Sequence, residues 1–414
     1  MRIAHVMSYF QPQLGYQEYY LAREQRKMGH DVCVFTSDRR RPIKAFSKTF
    51  GTVLRSRYVG RGEFDEDGVK VVRLPCFLEF HDQIFVRNLR KALIDFRPDI
   101  LCVHDEISYF ALISLIHKIF LKLPVVMDVH ADYINMSKNF LRRFVFHLLS
   151  KNPLYRMLYR RSDAYIAISK DSKEWLSNEL GIKKNQIVVV PLGAEAELFS
   201  PSVLQRQQIR EKYQFEDSAV LIYAGKLILG KDVELLLQAA SLLTRKGLNI
   251  KVLIVGSGPE NYQSKLQELV EQLRIKDIVV FRSFVDKKDL PGLYNAADIG
   301  VWPGDPSITI IEAMATGLPV VIPLLACTSH YFEYDIGFHF PRGNTVELAK
   351  RLELLVINDG VRQKKGLEAR RMVVDNLNWH SINAKTIEVY RNAMETNYSH
   401  YSDDDKTVNH LLKG

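Results

Sequence analysis

Three observations predict an α/β protein built from two doubly wound domains. The chain has 414 residues and a mass of 47.8 kDa, beyond the size at which a single hydrophobic core keeps growing. Short β-rich apolar runs alternate with amphipathic stretches of helical period along most of its length, which is the pattern of parallel sheets. That alternation then starts afresh near residue 220.

In the first series, strands are predicted at Ile3–Met7, Asp31–Thr36, Val69–Leu74, Ile100–His104, Val125–Val129, Ala164–Ile168 and Ile187–Val190. Each is a run of branched apolar residues closed by polar or turn-forming ones. Helical periodicity fills Glu18–Met28 and Arg87–Phe96. The second series has strands at Val220–Ala224, Ile250–Val255, Ile278–Phe281, Ile299–Trp302 and Val320–Ile322. Between them lie helices at Val233–Arg245, Tyr262–Leu273, Lys287–Ala296 and Ser307–Thr316. Phe199–Asp217, polar and without a strand, is read as the linker. The division is therefore 1–198 and 199–378, with a polar tail at 397–414 expected to be unstructured. Ligands of such folds bind at the carboxyl ends of the strands, here facing a shared cleft.

Composition narrows the class. The chain is 47% hydrophobic and 25% charged, an ordinary soluble make-up. Cys33, Cys76, Cys102 and Cys327 form no C-x-x-C pair, which argues against a disulfide framework or structural zinc and suits a reducing cytosol. Arg2–Met7 already reads as a strand, so no signal peptide is expected. Tyr109–Val126, interrupted by His117, Lys118 and Lys122, reads as a buried helix leading into a strand rather than a membrane span. A net charge of +9 favours polyanionic partners. No nucleic-acid recognition module is visible, and nucleic acid is not expected.

Three loops of the second series carry chemistry. In "LIYAGKLILGKDVELLLQAA", Gly225 ends a strand, and Lys226 and Lys231 bracket the turn before a helix. Two ammonium groups there suit a diphosphate, or else are two solvated lysines. In "VLIVGSGPE", Gly256 and Gly258 form a tight strand-to-helix turn, since Asn261 breaks the fuller glycine pattern. In "WPGDPSITIIEAMATGLPV", Asp305 is placed to cap a helix with Pro306 at its first position. Glu312 lies among apolar residues on that helix and needs a partner: a ribose diol, or a nearby lysine or arginine.

Taken in order, "GKL…GK", "VLIVGSGPE", "VVFRSFVDKKDLPGLYNAADIGVWP" and "IIEAMATGLPVV" resemble the nucleotide-binding domain of family 4 retaining glycosyltransferases, which have the GT-B fold. "GYQEYYLAREQRKMGHDVCVFTS" is similar to that family's acceptor-side loop and helix, and "PVVMDVHADY" to its histidine-bearing loop. "RRSDAYIAISKDSKEWLSNELGIKKNQIVVVPLGAEAELFSP" resembles the passage into the interdomain crossover. "LNWHSINAKTIEVYRNAM" resembles the final helix, about 379–396, which in the family returns to the first domain.

The resemblance implies roles for particular residues. Gly225, Lys226, Leu227 and Lys231 fall on the motif whose basic pair binds the donor diphosphate, with Lys226 where arginine is usual. Glu312 matches the second glutamate of an E-x7-E motif, the one that holds the ribose. The first glutamate falls on Gly304; Asp305, one position later, reaches the sugar as a catalytic residue only if the loop is re-bent, and otherwise is the helix cap. Ser307, Ile308 and Thr309 offer backbone amides, and two hydroxyls, to sugar or phosphate. Phe284 and Val285, with Gly256, line the base pocket. His130 faces the transferred sugar, and a neighbouring carboxylate would fix its tautomer. Gly15 and Tyr16 shape the acceptor loop, bulkier than the family's glycine pair.

Residues 138–161 hold seven Lys/Arg and no acid among large apolar side chains. Such a segment suits docking on the anionic inner face of a membrane, where a lipid-linked acceptor would be presented, or equally a helix with a solvated basic face. The expected activity is metal-independent retaining transfer of a hexose-type sugar from a UDP- or GDP-sugar to a lipid-linked or glycan acceptor, with no cofactor. A non-catalytic nucleotide-binding subunit, or an epimerase on the same scaffold, are the alternatives.

Overall fold

The computed structural model describes residues 1–41, 56–80, 83–104, 108–133, 150–215 and 217–411, with side chains as far as residue 398. The chain divides into two compact units: one holds 1–41, 56–191 and 382 onward, the other 192–381.

The described residues of the first unit build an eight-stranded sheet in the order β10-β9-β8-β7-β1-β2-β4-β3. These strands are β1 (Arg2–Val6), β2 (Asp31–Ser37), β3 (Gly62–Glu66), β4 (Val69–Leu74), β7 (Ile100–His104), β8 (Val125–Val129), β9 (Ala164–Ala167) and β10 (Ile187–Val189). All neighbours pair in parallel except β3, which folds back antiparallel on β4. A separate hairpin joins β5 (Cys76–Phe80) to β6 (Gln83–Val86). The middle strands are buried on both faces because helices cover both, so their sequences are continuous Val/Ile/Leu runs.

The second unit is an all-parallel sheet in the order β13-β12-β11-β14-β15-β16. Its strands are β11 (Ala219–Ala224), β12 (Ile250–Val255), β13 (Val279–Arg282), β14 (Ile299–Val301), β15 (Val320–Pro323) and β16 (Gly337–Phe340). In each sheet the winding direction reverses once, between β1 and β7 and between β11 and β14. The loops leaving the strands at such a reversal open a crevice, which is where doubly wound folds bind ligands.

Three sequence expectations need correction. The supposed linker contains the helix Val203–Tyr213, held to the second unit by Arg206 and Arg210 on Asp298 at 2.6 and 3.1 Å. The chain joins that unit by Leu192, since Ala194 pairs with Leu377 and Phe199 is fully buried. The tail is not extended either: the last helix runs Trp379–Leu411. Asn397 explains its continuation, being buried, accepting from Lys118 Nζ at 3.1 Å and donating to the Lys122 carbonyl at 2.9 Å. Of the basic segment, 138–149 lie outside the described residues, while its end forms the helix Pro153–Tyr159. No described helix is long and apolar enough to cross a membrane.

Candidate functional site

At the reversal in the second unit, three loops meet backbone to backbone. A Cβ on Gly256 would sit 1.8 Å from the carbonyl oxygen of Gly225, and one on Gly304 would sit 2.3 Å from that of Gly230. Only glycine allows these loops, following β11, β12 and β14, to close on one another. The contact is tied by Asp305 N–H donating to Gly230 O at 2.7 Å. Lys231 Nζ donates to the carbonyl oxygens of Asp305 and Pro306 at 3.0 and 2.7 Å. Lys231 therefore fixes the β14 loop as well as placing a positive charge beside it. Lys226, by contrast, is exposed at the head of the β11 loop, and its carbonyl accepts from the Tyr223 hydroxyl at 2.9 Å.

One expectation for this loop fails. The helix begins at Thr309, with Ile308 as its cap and no side-chain cap, so Asp305 is not capping it. Asp305 is buried and paired with Arg342 at 2.9 Å, and the same guanidinium reaches Asp232 at 3.0 Å. A short loop with a buried carboxylate found an arginine from beyond β16, which local sequence could not show. The Thr309 hydroxyl is likewise engaged, donating to Ala224 O at 2.7 Å and accepting from the Trp302 indole at 3.0 Å. Ser307 and Ile308 remain half-buried ahead of the helix.

Glu312 is buried on this helix with a lysine for partner: Lys287 Nζ lies 3.4 Å from its carboxylate and 3.2 Å from that of Glu195. Burial raises the Glu312 carboxyl above its ordinary range, and Lys287 offsets only part of that. Such an acid gains from further donors to its charged form. Phe284 is exposed on the loop after β13, its N–H bound to Ser257 Oγ at 3.0 Å, with Val285 half-buried beside it. Those contacts bring the β12 and β13 loops together.

The first unit carries a second polar group at its own reversal. His130 follows β8, partly exposed, with Nε2 3.6 Å from Asp128 Oδ2. Asp128 is fully buried, and His104 Nδ1 on β7 lies 2.9 Å from the same oxygen. Behind it, His104 Nε2 meets His5 Nδ1 at 2.8 Å, and His5 Nε2 meets Gln25 Oε1 at 2.8 Å. Gln17, next after Gly15 and Tyr16, donates to Asp128 at 3.3 Å, so the acceptor loop adjoins the same carboxylate. Gly15 has a left-handed backbone, φ +61°, closing the turn before helix Gln17–Lys27. Burial pushes His5 down to about 3, helped by His104. Burial opposes charge on His104 too, but Cys102 and Asp128 outweigh it and hold the ring well above its ordinary value. Asp128 is kept well below the usual carboxylate range, since His130 and His104 overcome its burial.

Sequence reasoning missed His5, His104, Gln17, Lys287 and Arg342. One signal was available: an aspartate inside the otherwise apolar strand "VVMDV" demands a buried cation. Among the described residues, His5, Cys102 and His104 bring metal-ligating atoms within 4.8 Å of one another. The two imidazole nitrogens at 2.8 Å are hydrogen-bonded, however, closer than the roughly 3.3 Å between two ligands of tetrahedral zinc.

Comparison with known proteins places these features in a family. The description "Glycosyl transferases group 1" matches residues 205–372, and "Glycosyltransferase Family 4" matches residues 17–198. The chain belongs to the family 4 glycosyltransferases and has the GT-B type of fold. Mannosylfructose-phosphate synthase of Agrobacterium fabrum is 29% identical over 306 residues, 65% of each chain. Alpha-monoglucosyldiacylglycerol synthase of Streptococcus pneumoniae is 24% identical over 315 residues, 73% of this chain and 65% of its own. Among solved structures, Anabaena HepE in complex with UDP superposes with a TM-score of 0.74 at 17% identity, over 94% of this chain and 100% of that one.

Proposed function

We propose that the protein transfers a hexose-type sugar, with retention of configuration and without a metal, from a nucleotide-diphosphate sugar to a lipid-linked or glycan acceptor. The observation that carries the reading is that Gly225, Lys226 and Lys231 on the loop after β11, and Glu312 on the helix after β14, flank the reversal between those strands. In this reading Lys226 and Lys231, with backbone amides of Ser307–Thr309, neutralise the departing diphosphate. A phosphate oxygen then takes the acceptor's proton, so no side-chain base is required. Glu312 accepts from the ribose diol once Lys287 shares it. Phe284, Val285 and Gly256 bound the base. His130 donates to the transferred sugar, and Gly15 and Tyr16 shape the acceptor's entry. Asp305, tied to Arg342, serves the loop rather than the reaction. A UDP-bound structural relative favours a uridine donor over guanosine, and a relative named for a diacylglycerol product supports a lipid acceptor.

Glu312's role has a specific test. If it holds the ribose, a 2′-deoxy donor binds the wild type about 10- to 100-fold more weakly than the ribo donor, the worth of one charge-assisted hydrogen bond. In Glu312→Gln that difference shrinks to a few fold. An undiminished preference in the variant, measured by calorimetry, removes Glu312 from the ribose.

A further inference from the structure

The buried row behind His130 has no place in donor binding, yet it is too costly to be incidental. Five polar side chains from four elements line up: Gln25 on helix Gln17–Lys27, His5 on β1, His104 on β7, Asp128 on β8, and His130 just beyond. Sheet register makes the row possible, because His104 lies directly opposite Asp128 and His5 opposite Cys102. Four of the five are nearly or fully buried, and only His130 emerges.

The hydrogen-bond directions are self-consistent in one protonation pattern. Gln25 Oε1 is an acceptor, so His5 Nε2 carries a proton, and because the carboxylate of the row lies against His104 and not His5, the extra proton belongs on His104 and His5 Nδ1 is a lone pair. His104 Nε2 must then be the donor to His5, while Nδ1 lies 2.9 Å from Asp128 Oδ2, an ion-pair contact in which the nitrogen facing the carboxylate carries a proton. Both ring nitrogens of His104 thus carry protons, and the ring is an imidazolium. The low value of His5 and the raised one of His104 agree with this pattern. The groups facing His104 are His5, Gln25, Cys102 on its own strand, Asp128, and Tyr390 from the last helix, which adjoins Cys102, Asp128 and Gln25.

We propose that His104 is a positioning residue for His130: its buried positive charge, seated on His5 and Gln25, balances Asp128. Asp128 then anchors the Nε2–H of His130 without forcing a second proton onto that ring. His130 is left neutral near pH 7 with Nδ1 as the nitrogen it offers to a bound sugar. At 3.6 Å the contact with Asp128 is longer than a full hydrogen bond, as catalytic contacts often are before a ligand is bound. The functional half of this inference rests on the transferase reading; the electrostatic half does not.

The test is NMR titration of 15N-histidine-labelled full-length protein, with signals assigned by single His→Gln variants. In the wild type, His104 stays doubly protonated where an ordinary histidine has lost its charge, His5 stays neutral, and His130 titrates with Nε2–H as its neutral form. In His104→Gln the unbalanced Asp128 draws a proton to His130, whose midpoint rises by about one unit or more. In Asp128→Asn that midpoint falls below the wild-type value and the Nε2–H preference is lost. If His104 titrates near its ordinary value in the wild type, the proposal is overturned even should both variants fail to fold. It is equally overturned if the His130 midpoint is the same in His104→Gln as in the wild type. A protein that shows the expected titrations yet transfers no sugar from any donor refutes the transferase reading and leaves the His104 assignment standing.

Discussion

Thr309 shows how much of the donor loop is architecture. Its hydroxyl joins the end of β11 to the Trp302 indole, so Thr309→Val should lower stability by about 1 kcal/mol, the typical value of one hydrogen bond. Urea unfolding checks this, and Thr309→Ser should restore most of the loss. Asp305 is a similar case. Because it faces Arg342, Asp305→Asn should leave sugar transfer within about tenfold of wild type, whereas removing a transition-state contact costs about 100-fold or more. Steady-state transfer rates separate the two. At this scale the sequence showed that a residue needs a partner, from its apolar neighbours, without showing which residue the partner is. Glu312 among isoleucines needed a partner, and Lys287 is there. Asp305 was misread as a cap because its partner lies 37 positions away, at Arg342.

Among elements, the strands of both sheets were legible because each is an apolar run closed by turn residues. Those missed depend on context. β3 is exposed and acidic, paired only along one edge, and β16 begins at a glycine whose Cβ would meet the Val320 backbone. Two helices start later than their periodicity suggests, at Leu290 rather than Lys287 and Thr309 rather than Ser307. The glycines of the donor loops give an element-scale expectation. Gly256→Ala forces Cβ to 1.8 Å from a backbone oxygen and should destabilise the second unit by about 3 kcal/mol or more. Gly360, in the helix Asp359–Met372 with nothing within 4 Å, should tolerate alanine and gain up to about 1 kcal/mol. Chemical denaturation of the pair of variants reads both signs.

Across the whole molecule, the two units were foreseen from the restarted pattern, while their junction was not, since the polar stretch Phe199–Asp217 was read as the linker and the second unit already begins at Leu192. The buried row of the first unit should make its stability depend on pH. His5 titrates lower in the folded chain than in the unfolded one, so its contribution is present above the ordinary value of 6.5 and lost as pH falls toward about 3. His104 titrates higher when folded, so its contribution is complete below its ordinary value and lost as pH climbs through the raised one. The protection factors of the β1 and β7 amides, taken against the intrinsic exchange rate at each pH, should therefore fall between pH 6.5 and 4, with a flatter slope in a His5→Asn variant. The central claim concerns the other unit, that its β11 and β14 loops bind a nucleotide-diphosphate sugar through Lys226 and Lys231. Its most direct test is calorimetric titration of UDP- and GDP-sugars into the wild type and into Lys226→Ala, a change at an exposed side chain whose folding is checked by thermal unfolding. One donor should bind the wild type, with affinity about tenfold or more weaker in the variant; no binding to the wild type, or equal affinity in both proteins, would contradict it.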